Sequence, residues 1–216
     1  WLFCPTDTAI NNLKKEGYEN IACKVVKTGD VMEDAALFYA KKASEKSTII
    51  NQLNLANKSF ILATIHRAEN TDNPTNLKGI IDALNKLHER QSVIVPLHPR
   101  TKKLIEQHQL QPLFTIVEPL GYFDMIMLLQ NCKLVITDSG GLQKEAYFFG
   151  KFCVTTRAQT EWVELVENGY NTIADTNTEK IIQLAEAGLS AEFPAKINLY
   201  GNGNACHNIC NTLLEN

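Results

Sequence analysis

Leu134-Val135-Ile136-Thr137-Asp138-Ser139-Gly140-Gly141-Leu142-Gln143-Lys144-Glu145-Ala146 is an apolar, partly β-branched run that stops at an Asp-Ser-Gly-Gly turn and restarts as a helix. Such a turn can build an anion site. Its two glycines let a ligand come close to the backbone, Ser139 adds a hydroxyl, and the first free N–H groups of the helix point beyond the strand end. The same Ser-Gly turn also caps helices that hold no ligand, so the surrounding chain has to decide.

Outward from this segment the pattern repeats. Apolar strand-like pieces are expected at 59–65, 92–97, 114–117, 134–137, 153–155 and 172–174, and helices at 76–90, 100–107, 122–131, 142–149, 161–167 and 178–186. Short apolar strands separated by amphipathic helices read as an α/β fold, a doubly wound parallel sheet with helices on both faces, Rossmann-like. Asp72-Asn73-Pro74-Thr75 supplies capping residues and a proline before one helix, and Gly150 and Gly169 follow two others.

Residues 1–58 read differently. Two apolar runs, 1–4 and 22–26, flank a helix at 6–15, a second helix opens at Gly29-Asp30-Val31-Met32 and runs to Tyr39, and 41–58, rich in Lys, Ser and Asn, reads as a connection. Two strands do not close a sheet of their own. Residues 1–58 are therefore expected to be the end of an incomplete N-terminal domain plus linker. Residues 59–216 form the C-terminal domain, whose last helix is a candidate to cross back. The absence of an initiator Met and the start inside an apolar run suggest a fragment.

The 216 residues are 44% hydrophobic and 21% charged, as expected of ordinary globular cores, and the formal net charge of -3 provides no general basic face for nucleic acid or an acidic membrane. An anion would have to be held by local geometry. No run of about 18 apolar residues occurs and the start lacks a signal-peptide pattern, so a soluble cytoplasmic protein is expected. Six scattered cysteines read as reduced, buried thiols. Cys206-His207 with Cys210 has metal-like spacing but no second half, and is read as a helix face; no metal is expected.

In a doubly wound sheet ligands bind beyond the carboxyl ends of the strands. The loops there carry His66-Arg67-Ala68-Glu69-Asn70, His98-Pro99-Arg100, Glu118-Pro119-Leu120-Gly121, Asp138-Ser139-Gly140-Gly141, and Arg157 followed by Thr160-Glu161-Trp162. Cations, carboxylates and free amides on one edge suit a phosphorylated, nucleotide-linked ligand. Ser139 with the Gly140 and Gly141 amides would hold phosphate oxygens, and His66 or Arg157 would neutralise remaining charge. Glu145, one turn into the helix, has the reach to accept from ribose hydroxyls, or is a solvated helix residue. Lys144 reads as a surface charge, and Met125, Met127, Leu128 and Leu129 as core. No Gly-x-Gly-x-x-Gly, Walker loop, His-Glu-x-x-His or Gly-x-Ser-x-Gly is present, which argues against dinucleotide redox chemistry, NTP hydrolysis, zincin proteolysis and a nucleophile elbow; no cofactor is expected.

The chain resembles the non-hydrolysing UDP-N-acetylglucosamine 2-epimerases. The matching pieces occur in family order and cover nearly the whole chain: Cys4-Pro5-Thr6, Gly29-Asp30-Val31, Thr64-Ile65-His66-Arg67-Ala68-Glu69-Asn70, Pro96-Leu97-His98-Pro99, Glu118-Pro119-Leu120, Thr137 to Ala146, Gly150-Lys151, Thr160-Glu161-Trp162, Gly169-Tyr170-Asn171, and Asn198-Leu199-Tyr200-Gly201-Asn202-Gly203. The resemblance implies a two-domain glycosyltransferase-B type fold, with UDP bound mainly by the C-terminal domain. It implies inversion at C2 of a UDP-2-acetamido sugar through elimination of UDP to a 2-acetamidoglucal and re-addition, interconverting UDP-GlcNAc and UDP-ManNAc or related sugars.

Carried over residue by residue, the resemblance makes His66, Arg67, Ser139, Gly140, Gly141, Glu145 and Arg157 UDP-binding positions, with His66 also catalytic. His98 lies where some members contact a second, allosteric UDP-sugar. A homodimer is implied. The family's acid and base carboxylates lie in the N-terminal domain, most of which is expected to fall outside this sequence, so the chain alone is expected to bind UDP weakly and turn over little. Thr160-Glu161-Trp162-Val163-Glu164 is similar to relatives acting on modified sugars such as UDP-2,3-diacetamido-uronic acids or UDP-N-acetyl-fucosamine precursors. The competing readings are a UDP-sugar-dependent glycosyltransferase of the same fold and an inactive UDP-binding module.

Overall fold

In the computed structural model, which describes residues 1–215, the first elements are β1 (Leu2–Cys4), α1 (Asp7–Lys15), β2 (Val25–Lys27) and α2 (Val31–Lys46). There follow α3 (Ile49–Gln52), β3 (Phe60–Thr64), α4 (Ala68–Thr71), α5 (Pro74–His88), β4 (Ser92–Pro96), α6 (Pro99–Gln107), β5 (Thr115–Val117) and α7 (Tyr122–Asn131). The chain then runs through β6 (Leu134–Thr137), α8 (Gly140–Phe148), β7 (Phe152–Thr155), α9 (Val163–Glu167), β8 (Asn171–Ile173), α10 (Thr178–Ser190) and α11 (Ala205–Leu214). Two units result, residues 1–42 with 195–215, and residues 43–194.

In the larger unit all six strands are parallel, in the order β5-β4-β3-β6-β7-β8. Alternation of side chains along the strands sorts the core onto two faces. Ile61, Ala63, Val93, Val95, Leu134, Ile136 and Val154 cluster with Leu77, Ile81 and Leu84 of α5, Ile105 of α6 and Ile181 of α10. Phe60, Leu62, Ile94, Val135 and Cys153 cluster with Ile49 of α3, Leu128 and Leu129 of α7, and Leu142 and Ala146 of α8. The expected doubly wound sheet with helices on both faces is present. Its chain goes from β3 outward to β4 and β5, then returns to lay β6 against the other side of β3, so the topological switch lies between β3 and β6. There Thr64 pairs with Thr137, and their hydroxyls are 2.6 Å apart.

Local chemistry sets the helix ends. The Asn73 side chain accepts from the Thr75 and Asn76 amides at 3.0 and 3.3 Å, with Pro74 opening α5. Gly150 and Gly169 follow α8 and α9 with φ of 65° and 75°, the left-handed conformation that closes a helix.

Several sequence expectations change. Residues 41–58, expected as a connection, contain the end of α2 and all of α3, because Ile49 and Leu55 are buried in the core of the larger unit. The short helix α4 falls in a loop reading. Lys144, expected at the surface, is buried at 6% exposure, its ammonium 4.2 Å from the centre of the Trp162 ring. Cys4, Cys132 and Cys153 are buried free thiols, but Cys206 and Cys210 are exposed on α11.

In the smaller unit β1 and β2 form a two-stranded parallel sheet. Two adjacent acidic residues of α2 hold the returning segment: buried Glu33 accepts from Lys196 Nζ at 3.0 Å and the Asn202 amide at 2.8 Å, and Asp34 accepts from the Ala205 and Cys206 amides at 3.0 and 2.6 Å, serving the start of α11. Among the described residues no helix is long and apolar enough to cross a membrane.

Candidate functional site

Beyond the carboxyl ends of β3 and β6 a cavity of about 370 Å³ opens, lined among others by His66, His98, Ser139, Gly141 and Glu145. That volume lies within the range of small-ligand sites. Pro96, Pro119, Leu120, Met125 and Leu142 give it apolar walls. Five of the eight sequence-predicted positions are thus brought to one cavity. Met125, read only as core, is among its walls.

The joint between the two loops is Asp138, to which sequence reasoning assigned no role. Its carboxylate, fully buried, accepts from the His66 amide at 3.1 Å, the Arg67 amide at 3.0 Å and Asn70 Nδ2 at 3.2 Å, and lies 3.1 Å from His66 Nδ1. Burial alone would push this carboxyl up, but the hydrogen bonds and charge of His66, with the two amides, hold it below the ordinary range. In return the hydrogen bond His66 donates to Asp138 raises the His66 pKa above its usual value, against burial and the Arg67 charge. With Nδ1 held, Nε2 is the ring nitrogen left to a ligand. Asn70 also donates to the Thr156 carbonyl at 2.8 Å, tying a third loop to the first two. Its signal was its place in the same loop as His66.

Ser139 is the N-cap of α8: its Oγ accepts from the Leu142 amide at 3.4 Å, and its own amide donates to Thr137 Oγ1 at 2.9 Å. The first amides of the helix, those of Gly140 and Gly141, belong to the set that has no intrahelical acceptor. Glu145 accepts from the Tyr122 hydroxyl at 3.1 Å. Burial lifts its carboxyl above the ordinary range, opposed by that hydrogen bond and by Lys144. Tyr122, from a different helix, carried no sequence signal for this role.

Arg67, Gly140 and Arg157 are not among the cavity-lining residues; they gather around Glu161. Arg157, with only 12% of its side chain exposed, donates from Nη1 to Glu161 Oε2 at 2.8 Å, and its Nε is 3.3 Å from Glu69 Oε1. Arg67 Nη2 is 3.8 Å from Glu161 Oε1. His98 lies at the cavity and also accepts the Arg100 amide on Nδ1 at 3.2 Å, capping α6.

The lining thus offers apolar walls at Pro96, Pro119, Leu120 and Met125, a carboxylate acceptor at Glu145, and donors at His66 and the start of α8 that suit an anionic group. The sequence pattern of the UDP-N-acetylglucosamine 2-epimerases matches residues 1–214. The UDP-2,3-diacetamido-2,3-dideoxy-D-glucuronate 2-epimerase of Pseudomonas aeruginosa is 48% identical over 215 residues, 99% of this chain and 59% of that protein. Among solved structures, UDP-GlcNAc 2-epimerase of Methanocaldococcus jannaschii, in complex with UDP-GlcNAc and UDP, superposes with a TM-score of 0.89 at 36% identity, over 100% of this chain and 61% of that one. The Neisseria meningitidis enzyme bound to UDP-GlcNAc gives 0.82 at 30%, over 100% of this chain and 62% of that one. The chain therefore spans about three-fifths of the length of these relatives. With the family pattern running over residues 1–214, this chain belongs to the UDP-N-acetylglucosamine 2-epimerase family.

Proposed function

We propose that the whole protein inverts C2 of a UDP-2-acetamido sugar by eliminating UDP and adding it back, and that residues 43–194 grip the UDP. One observation carries this reading: His66, Ser139, Gly141 and Glu145 converge on one cavity at the β3/β6 switch of a chain in this family.

C2 beside an N-acetyl group is not an acidic carbon, so loss of its proton has to be coupled to departure of a good leaving group. A base takes the C2 proton while the C1–O bond breaks; the C–H electrons form the C1–C2 double bond and the C–O pair leaves with UDP. Re-addition returns UDP to C1 and a proton to the opposite face of C2. In this scheme His66, its imidazole oriented and its protonated form favoured by Asp138, meets the growing diphosphate charge. The Gly140 and Gly141 amides, Ser139, Arg67 and Arg157 complete that grip, and Glu145 accepts from the ribose. The acid and base carboxylates are assigned to the two-fifths of the relatives' length that this chain does not span.

The 48% identity to the Pseudomonas aeruginosa enzyme, against 36% to the Methanocaldococcus jannaschii one, favours a 2,3-diacetamido uronic sugar over N-acetylglucosamine, and the resemblance of the Thr160-Glu161-Trp162-Val163-Glu164 segment agrees with a modified sugar of that kind or a UDP-N-acetyl-fucosamine precursor. His98 is the proposed contact for a second, allosteric UDP-sugar. A cytoplasmic homodimer belongs to the same proposal and is supported by the family likeness alone.

The test is incubation of the intact protein in D2O with UDP-GlcNAc or with UDP-2,3-diacetamido-2,3-dideoxy-D-glucuronate, without an acceptor. The expected products are the C2 epimer with deuterium at C2, formed faster from the second sugar. Strict dependence on an acceptor would instead identify a glycosyltransferase.

A further inference from the structure

The arginines that a diphosphate would need already have an anion. Glu161 pairs with Arg157 and with Arg67, and its Oε1 stands on the face of Gly140 where a Cβ would sit, beside the first turn of α8. The loop bearing it is fixed by other groups. Thr160 Oγ1 donates to Gln143 Oε1 at 2.6 Å and accepts the Trp162 amide at 3.2 Å; Asn171 Nδ2 donates to the same Gln143 oxygen at 3.0 Å. Trp162 Nε1 donates to the Gly140 carbonyl at 2.8 Å, while Lys144 lies against its ring. Gln143 and Asn171 are buried. The backbone on both sides of Glu161 is thus held to α8 without using the Glu161 carboxylate, whose side chain is 41% exposed and can leave while the loop stays.

Charge gives that carboxylate its role. Arg67, Arg157, Glu69 and Glu161 sum to zero, so a diphosphate arriving at this cluster meets no net positive charge unless one carboxylate gives way. Glu161 is the one against α8; Glu69 touches only Arg157 among the cations. We propose that Glu161 is a built-in stand-in for the diphosphate: UDP binds by anion exchange, displacing Glu161 from Arg157 and Arg67, and Glu161 returns when UDP leaves. The inference rests on the reading that the UDP diphosphate sits at the start of α8. Its consequence is a UDP site weakened on purpose, with release assisted by an internal competitor, which suits a reaction that must let go of its nucleotide-sugar product.

The experiment is calorimetric titration of the intact protein, as wild type, Glu161→Gln and Glu161→Ala, with UDP and separately with uridine, each variant's melting temperature serving as the folding control. UDP should bind both variants about two- to fivefold more tightly than wild type, the scale of one partly exposed ion pair. Uridine, with no phosphate to compete, should be unaffected. Unchanged or weaker UDP binding in both folded variants would overturn the proposal while leaving the UDP site standing, and so would equal tightening toward uridine. No UDP binding by any of the three would overturn the site reading, and this proposal with it.

Discussion

His66 Nδ1 stands 3.1 Å from Oδ1 of Asp138, a carboxylate with no exposed surface, so the end of β6 fixes the ring that the end of β3 presents. Replacing Asp138 with Asn puts an amide group among the His66 amide, the Arg67 amide and Asn70 Nδ2, all of which need an acceptor. Asp138→Asn should cost about 1.5–3 kcal/mol, the scale for hydrogen bonds to a charged group. NMR titration should show the His66 pKa falling from its raised value, and urea unfolding checks the stability loss.

The same pair gives a signed pH dependence. His66 binds its proton more tightly folded than unfolded, so its contribution to stability is complete below about 6.5 and disappears as pH rises through the higher folded value. Asp138 has the opposite sense: its contribution is present above about 3.9 and disappears as pH falls through the lower folded value. Unfolding curves of wild type and His66→Asn should therefore differ most between these limits and converge at higher pH. In the full-length protein, on the proposed mechanism, the same variant should lose about 100-fold or more in turnover, the scale of removing one donor to developing transition-state charge, with a smaller change in stability.

The sheet was legible because its inner strands β3, β4, β6 and β7 are largely apolar runs, buried on both faces, and such runs stand out between amphipathic helices. Strand order was not legible: five loops qualified, and only the observed return of β6 beside β3 singles out His66 and Asp138. His66, Ser139 and Glu145 announced themselves by residue type at a strand end or helix start. Asp138, Asn70, Tyr122 and Gln143 did not, because each acts through a partner 17 or more positions away, and such pairings are set by tertiary packing. Lys144 misled for a related reason. A lysine on a helix reads as solvated until a ring such as Trp162 is brought over it.

Glu145 and Tyr122 form a second pair to separate by mutation. Glu145→Ala should weaken UDP binding by about 1–3 kcal/mol, the usual cost of leaving polar partners unmatched. Tyr122→Phe removes the hydrogen bond that opposes the burial-driven rise of the Glu145 pKa. Its UDP affinity should therefore begin to fall at a higher pH than wild type as the solution is acidified. Calorimetry across pH 4 to 7 makes the comparison, and identical profiles would mean that Tyr122 does not tune this carboxyl.

Ser139 is a helix cap in the structure and a phosphate ligand in the proposal, and two substitutions distinguish these roles. Ser139→Ala removes the cap and should cost about 1 kcal/mol of stability, whereas Ser139→Gly, an acceptable N-cap, should cost only a few tenths. Both lack the hydroxyl. If that hydroxyl donates to a phosphate oxygen, both variants should lose UDP affinity to a similar extent, about 1–3 kcal/mol, despite their different stabilities. If Oγ acts only on the Leu142 amide, affinity should follow stability, falling in the alanine variant and surviving in the glycine one. Melting temperatures and UDP titrations on the same two proteins separate these outcomes, because the cap contributes before any ligand arrives and the phosphate contact contributes only afterwards.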